Sequence, residues 1–181
     1  TMIPGLARQF KVTRQVIAWT NPEEWKPFEI GEFPCWMIDD DTKHGMYYGF
    51  PVLPVVKFGA PIGLKVAHHY PGLISNPDAV NRTPDKEDEE NIIYAIRKFL
   101  PKGYSSTHVL KTCLYTNTPD ENFIIDFLPE NNKQVVIAAG FSGHGFKFIS
   151  VVGEIMADLA MKGKTELPIQ FLNAQRFDQP V

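Results

Sequence analysis

The sequence predicts an α+β fold, a mixed and largely antiparallel sheet carrying two main helices. Two observations predict it: six or more short segments have strand character and are mostly linked by short turns, and only two stretches show a helical repeat. Residues 8–20 alternate through Phe10, Val12 and Val16-Ile17-Ala18-Trp19, as strands do. Asn21-Pro22-Glu23-Glu24-Trp25 reads as a capped turn or loop. Cys35-Trp36-Met37-Ile38 is a short strand ended by Asp39-Asp40-Asp41, residues 46–50 form the next, and a proline- and glycine-broken connection at 51–61 leads to another at 62–69. The clearest helix covers 84–100. Thr83 serves as N-cap, Pro84 as first helical residue, and Asp85, Glu87 and Asp88 suit the positive end of the dipole. Ile92, Ile93, Ile96, Phe99 and Leu100 give that helix one apolar face before Pro101 ends it. Strands are expected at 106–116, 122–127 and 134–139, then a second helix from about 145 to 161, stopped at Gly163.

Composition narrows the function. With 44% hydrophobic and 22% charged residues, 181 residues can build one globular core. A net charge of −3 argues against a nucleic-acid partner, which would need concentrated Lys and Arg. No apolar run approaches the roughly 20 residues of a membrane helix, and Thr1-Met2-Ile3-Pro4-Gly5 lacks the charged start and apolar core of a signal peptide. The two cysteines, Cys35 and Cys113, are far apart and form no metal-ligand pair. A reduced, cytoplasmic protein without metal or membrane is the expectation.

Three blocks carry the chemistry: Cys113-Leu114-Tyr115-Thr116, Thr118 to Asp126, and Gly140-Phe141-Ser142-Gly143-His144-Gly145-Phe146-Lys147-Phe148. By spacing alone Cys113 is a small buried hydrophobe, as lone cysteines usually are, and Cys35 belongs in the core. Gly143-His144-Gly145 opens a helix whose first N–H groups lack intrahelical partners and favour negative charge. It is equally a plain strand-to-helix turn. Lys147 stands on a polar stripe with Ser150, Glu154 and Asp158, as a solvated surface lysine would, yet Phe146 and Phe148 flank it and point to a site near the interior. Lys65 and His69 share one strand face, with Leu64, Val66 and His68 on the other. Met46, Tyr48 and Phe50 share a face of the preceding strand, and Tyr115 shares that of Cys113. His68 is assigned to packing, and His44 and His108 to no role.

Taken together these blocks resemble the C-terminal segment of monomeric sarcosine oxidase and N-methyltryptophan oxidase, over about residues 14–176. The resemblance implies an FAD-dependent amine oxidase: oxidation of an N-methyl or other secondary amino acid to an imine, with oxygen as acceptor and hydrogen peroxide released. It implies FAD held covalently through Cys113 and contacted by Gly143, His144, Gly145 and Tyr115, with the C-terminal helix packing at the flavin site. Lys147 is then the cation that binds the substrate carboxylate, Tyr48 and His69 line the substrate cavity, and Lys65 stands above the flavin where oxygen is reduced. Residues 1–104 form part of the substrate domain, and 105–181 a flavin-contacting segment.

The sequence departs from this family in two respects. No G-x-G-x-x-G occurs among the 13 glycines, so the N-terminal dinucleotide-binding domain is absent and the chain by itself should be inactive. That missing FAD-binding half is the expected partner, and surface made to meet it should be exposed and apolar. The connection from Tyr48 to Lys65, with Pro51, Pro54 and Pro61, is longer than in sarcosine oxidases, which leaves the exact amine open. A non-catalytic module of this fold, binding a small acid or a protein, is the alternative.

Overall fold

A computed structural model describes residues 4–42, 45–70, 72–129 and 132–177. The N-terminal three residues and His44, weighed above, lie outside them. The chain divides into two compact units, residues 14–114 and residues 1–13 with 115–181. In order the elements are α1 (Pro4–Ala7), β1 (Lys11–Asn21), β2 (Trp36–Asp40), β3 (Gly45–Phe50), α2 (Val55–Phe58), β4 (Leu64–Tyr70), β5 (Leu73–Ile74), α3 (Lys86–Phe99), β6 (Ser106–Asn117), β7 (Ile124–Phe127), β8 (Val136–Ala139) and α4 (Ile149–Lys162). No described helix is long and apolar enough to cross a membrane.

Unit 14–114 is a sheet in the order β2-β3-β4-β1-β5, with β6 also paired to β1. The β2–β3, β3–β4 and β4–β1 ladders are antiparallel. Period-two alternation sends Val16, Ala18, Leu64 and Val66 to one face, where Ile92, Ile96 and Leu100 pack on them. The opposite face carries Trp19, Lys65, Ala67, Tyr48 and Phe50, and helix α3 does not pack against it. Between Met46 and Tyr47 the β3–β4 register shifts: Met46 pairs with Tyr70 but Tyr47 with His68, so His69 is an extra residue in β4, a bulge.

The helix over 84–100 forms as α3, but two residues later than its sequence suggests. Asp85, not Thr83, caps it. The Asp85 carboxylate accepts from the Asp88 N–H at 3.0 Å and the Asp88 carboxylate accepts from the Asp85 N–H at 2.9 Å, a reciprocal capping box. The reciprocal box satisfies the N–H groups of both Asp85 and Asp88, where a Thr83 cap would satisfy one, which is why the earlier cap loses. Asp88 does double duty. Arg14 of β1, only 8% exposed, donates to both of its oxygens at 2.7 and 2.6 Å and to the carbonyls of Asn81 and Thr83. A second buried carboxylate, Asp40, ends β2. It accepts from Tyr94 at 2.8 Å, from Lys98 at 2.9 Å and from the Thr42 N–H at 3.1 Å. Beside it the fully buried Tyr47 donates to Asn91 at 2.6 Å, and burial pushes its phenol up to about 12.

Removing one partner of a buried ion pair leaves the other charge uncompensated. Arg14→Ala should therefore lower stability by about 3 kcal/mol, read as the urea midpoint of this chain. Acid should act on the same ties. Burial pushes Asp40 and Asp88 up, but Lys98 with its neighbours and Arg14 outweigh that and hold both carboxyls below the usual range. A depressed folded pKa contributes stability that is complete above the unfolded value, about 4, and is lost as pH falls below it. Thermal midpoints should thus hold steady from pH 7 to about 5 and fall steeply below about 4, with a shallower fall in Arg14→Ala.

The other unit is the β7–β8 hairpin with α4 across it. Ile125 of β7 packs with Phe123 and with Ile155 and Leu159 of α4, while Ile124 and Ile137 face Leu6, Leu128 and Ala174. Asp120 is pinned by Arg176 at 2.9 Å, which holds its carboxyl down at about 2. Helix α4 ends on Gly163 in the left-handed conformation, as the sequence suggests. Its start differs: a single 3-10 turn spans Phe146–Phe148, and the α-helix proper begins at Ile149. Cys35 is also displaced from expectation. It is exposed just before the edge strand β2, where no layer covers it.

Candidate functional site

Each unit carries a distinct group of the residues singled out by sequence. On the uncovered sheet face of unit 14–114, the register sets Phe50 opposite Lys65 and Trp19 opposite Lys65, giving a row across three strands. The Lys65 ammonium lies 4.9 Å from the Phe50 ring centre and 5.4 Å from that of Trp19. Lys65 is half-buried. Burial lowers its pKa, and the Cys113 sulfur is close enough to oppose that electrostatically. Tyr48 extends the row as a chain of edge-on rings, 6.1 Å from Phe50 and 5.7 Å from His69. The bulge keeps His69 on the Tyr48 side, while His68 stacks on buried Tyr47 at 4.9 Å, a packing role.

Cys113 is exposed on β6, not buried as a lone cysteine would ordinarily be, and its sulfur lies 3.8 Å from the Leu114 carbonyl. Lys111, two residues back on the same strand face, reaches over the Trp19 ring at 6.0 Å. Strand pairing thus gathers Tyr48, Lys65, His69 and Cys113 on one face.

The other unit holds Tyr115, Gly143, His144, Gly145 and Lys147. Gly140, Ser142 and Gly143 have φ of 66°, 48° and 75°, so the chain between β8 and α4 turns sharply through left-handed backbone. At Gly143 a Cβ would strike the Tyr115 ring, and at Gly145 it would fall 2.6 Å from Phe141. Glycine is required here to let aromatic rings lie on the backbone. The His144 Nδ1 is 2.9 Å from the Ser142 carbonyl, and the imidazole stacks on Phe123 at 5.0 Å. Lys147 sits in the 3-10 turn ahead of α4, its ammonium 5.4 Å from the Phe148 ring. It lines an apolar pocket of about 240 Å³ with Phe123, His144, Phe148, Val151 and Phe171. Lys147 is itself exposed at the rim of this pocket, so the position near the interior that its flanking aromatics suggested is not formed among the described residues. Phe146 is 87% exposed and Phe148 38%, so the flanking aromatics lie open.

Alternation within each strand was enough to group Lys65 with His69 and Phe50 with Tyr48, but Trp19, Phe123 and Phe171 join the site residues through strand register and packing, for which the sequence gives no local signal.

The chemistry of this set is compatible with a flavin, because a half-buried cation on one sheet face suits an electron-poor planar ring that gains negative charge when reduced. Comparisons agree. Residues 2–159 match the family model described as FAD dependent oxidoreductase. The chain is 41% identical over 165 residues to monomeric sarcosine oxidase of Bacillus sp. (strain NS-129), covering 90% of this chain and 40% of that protein. To N-methyl-L-tryptophan oxidase of Yersinia pestis (strain Pestoides F) it is 32% identical, covering 91% and 42%. Among solved structures, the amino acid oxidase NikD in its open form superposes with a TM-score of 0.73 at 21% identity over 91% of this chain and 42% of that one, a likeness of fold. L-proline dehydrogenase from P. horikoshii gives 0.67 at 27% identity, over 94% and 40%. The chain spans about 40% of the length of the curated relatives it matches. On the match across most of its length, the chain belongs to the FAD dependent oxidoreductase family.

Proposed function

We propose that this chain is the substrate-binding and flavin-contacting part of an FAD-dependent oxidase of N-methyl or other secondary amino acids. Residues 1–104 would supply the substrate side and 105–181 the flavin side, working with a dinucleotide-binding half that these 181 residues do not encode. The observation that carries the reading is the half-buried Lys65 beside an exposed Cys113 on a sheet face lined by Tyr48 and His69. The resemblance to sarcosine and N-methyltryptophan oxidases supplies the substrate class.

The reaction is R–NH–CH3 + O2 + H2O → R–NH2 + CH2O + H2O2, by way of an imine that water hydrolyses. Bound FAD supplies the two-electron acceptor between amine and oxygen. Lys147 pairs with the substrate carboxylate. Tyr48 offers an aromatic face to the amine, and His69 exchanges the amine proton. Lys65 holds positive charge where oxygen becomes negative. Cys113 tethers the flavin, with Gly143, His144, Gly145 and Tyr115 against it.

The test is an oxygen-electrode screen of this chain joined to its dinucleotide-binding half and loaded with FAD, the flavin-loaded protein, against N-methyl amino acids, with formaldehyde and peroxide measured together. One formaldehyde per peroxide with at least one such amine is expected. A flavin-loaded protein that consumes no oxygen with any secondary amine would overturn the reading in favour of a binding module. A charge-assisted contact is worth about 1.5–3 kcal/mol, so Lys147→Gln should weaken binding of a carboxylate inhibitor about tenfold or more. Binding of the corresponding amide should not change.

A further inference from the structure

Lysine on a strand is ordinarily loose. Its four-carbon stem carries about 2 kcal/mol of rotamer entropy and lets the ammonium sweep over several ångströms. Lys65 is not placed that way. Its two neighbours across the sheet are both aromatic, Phe50 on β3 and Trp19 on β1, and both rings lie within about 6 Å of its ammonium, the range of a cation–π contact. Neither ring serves the core. The buried cluster on Val16, Ala18, Leu64 and Val66 fills the other face of the same strands, and Phe50 remains 36% exposed. Two rings that pack no core and flank one lysine close its sideways swings and leave it the direction out of the sheet.

We infer that Trp19 and Phe50 are positioning residues for Lys65, an aromatic clamp that fixes its ammonium at one point above the sheet. The inference rests on the reading of Lys65 as the group that meets oxygen, and it adds what holds that group in place. Trp19 is also within 6.0 Å of the Lys111 ammonium, so the one ring meets two like charges. Phe50 is tied edge-on to Tyr48. A change at Phe50 therefore reaches the substrate face as well, and Trp19 is the cleaner place to test the clamp.

The first readout needs no activity. In this chain carrying ¹³C-labelled lysine, the Lys65 ε-methylene signal, assigned by its loss in Lys65→Met, should lie upfield of the other lysines because of the two ring currents. Trp19→Leu should return much of that shift, Phe50→Leu the remainder, and Trp19→Phe should retain it. The second readout is the flavin-loaded protein, where displacing a group by about an ångström can cost up to about a hundredfold. Trp19→Leu should slow the oxygen-dependent step about tenfold while leaving the amine KM unmoved, and Trp19→Phe should restore the rate. A Lys65 signal at the ordinary lysine position, or one unmoved in Trp19→Leu, would overturn the clamp. Ring-current shifts that behave as expected while Lys65→Met leaves the oxygen step untouched would instead overturn the role given to Lys65.

Discussion

Cys113→Ala is expected to abolish all flavin that survives denaturation. The thiol is exposed on β6, held by no short hydrogen bond among the described residues, and it faces the same side of the sheet as the half-buried Lys65. A thioether joining sulfur to a methyl group of the flavin removes one hydrogen from each, with oxygen as the final oxidant. The flavin-loaded protein should then gain the mass of one FAD less two hydrogens and stay yellow after acid precipitation. Cys113→Ala should show the unmodified mass and release all its colour to the supernatant. The effect is all or nothing, because no other described cysteine lies on that face. Cys35 is the only alternative thiol, so Cys35→Ala serves as the control that keeps its colour. An unmodified mass for the natural sequence would refute the tether, and a modified mass in Cys113→Ala would move it elsewhere.

Lys65→Met should slow reoxidation by oxygen about a thousandfold and reduction by the amine only a few-fold. Removing a preorganised electrostatic group from a partly dry site costs about 10²–10³ in rate. Methionine keeps the stem length and the apolar contact with Trp19 and Phe50, so the change isolates the charge. Stopped-flow measurement separates the two half-reactions. Equal slowing of both would mean that Lys65 shapes the cavity as a whole, and the assignment to oxygen would fall. Lys65→Arg keeps the charge in a longer planar group, and a partial recovery is expected from it.

Much of the fold was legible because local rules agree with one another. The segments 46–50, 106–116 and 134–139 have strand alternation bounded by turns, and all three form strands close to those bounds. The helix at 84–100 has an apolar face and acidic start strong enough to survive a wrong cap. Its true cap was visible as well, since Asp85 and Asp88 have the three-residue spacing of a capping box, but the pair Thr83-Pro84 offered a competing signal. The late α-helical start at Ile149 was not legible. It depends on Phe148, whose φ of −101° and ψ of 4° mark the junction between 3-10 and α geometry.

For the candidate site, the limit is register. Sequence alternation groups Lys65 with His69 and Tyr48 with Phe50, but it cannot say that β1 lies beside β4 and so brings Trp19 opposite Lys65. Nor does it show that Lys147 opens on a pocket walled by Phe123 and Phe171, which are 24 residues before and after it. The exposed cysteines went against the usual behaviour of their residue type. Cys35 precedes an edge strand and Cys113 lies on the uncovered face, both properties of topology rather than composition.

The extra residue in β4 also bears on how this part of the molecule can change over generations. Excising the single codon for His69 would leave Tyr70 opposite Met46 and Tyr47 opposite His68, a continuous ladder with every neighbour in place. The imidazole is thus something a lineage can discard or acquire in one step without disturbing the sheet. Excising the codon for Lys65 is different, because its loss would reverse the facing of the residues on one side of the gap and turn core side chains outward. Folding therefore guards the lysine against deletion, whereas only the chemistry of the site can hold the histidine in place.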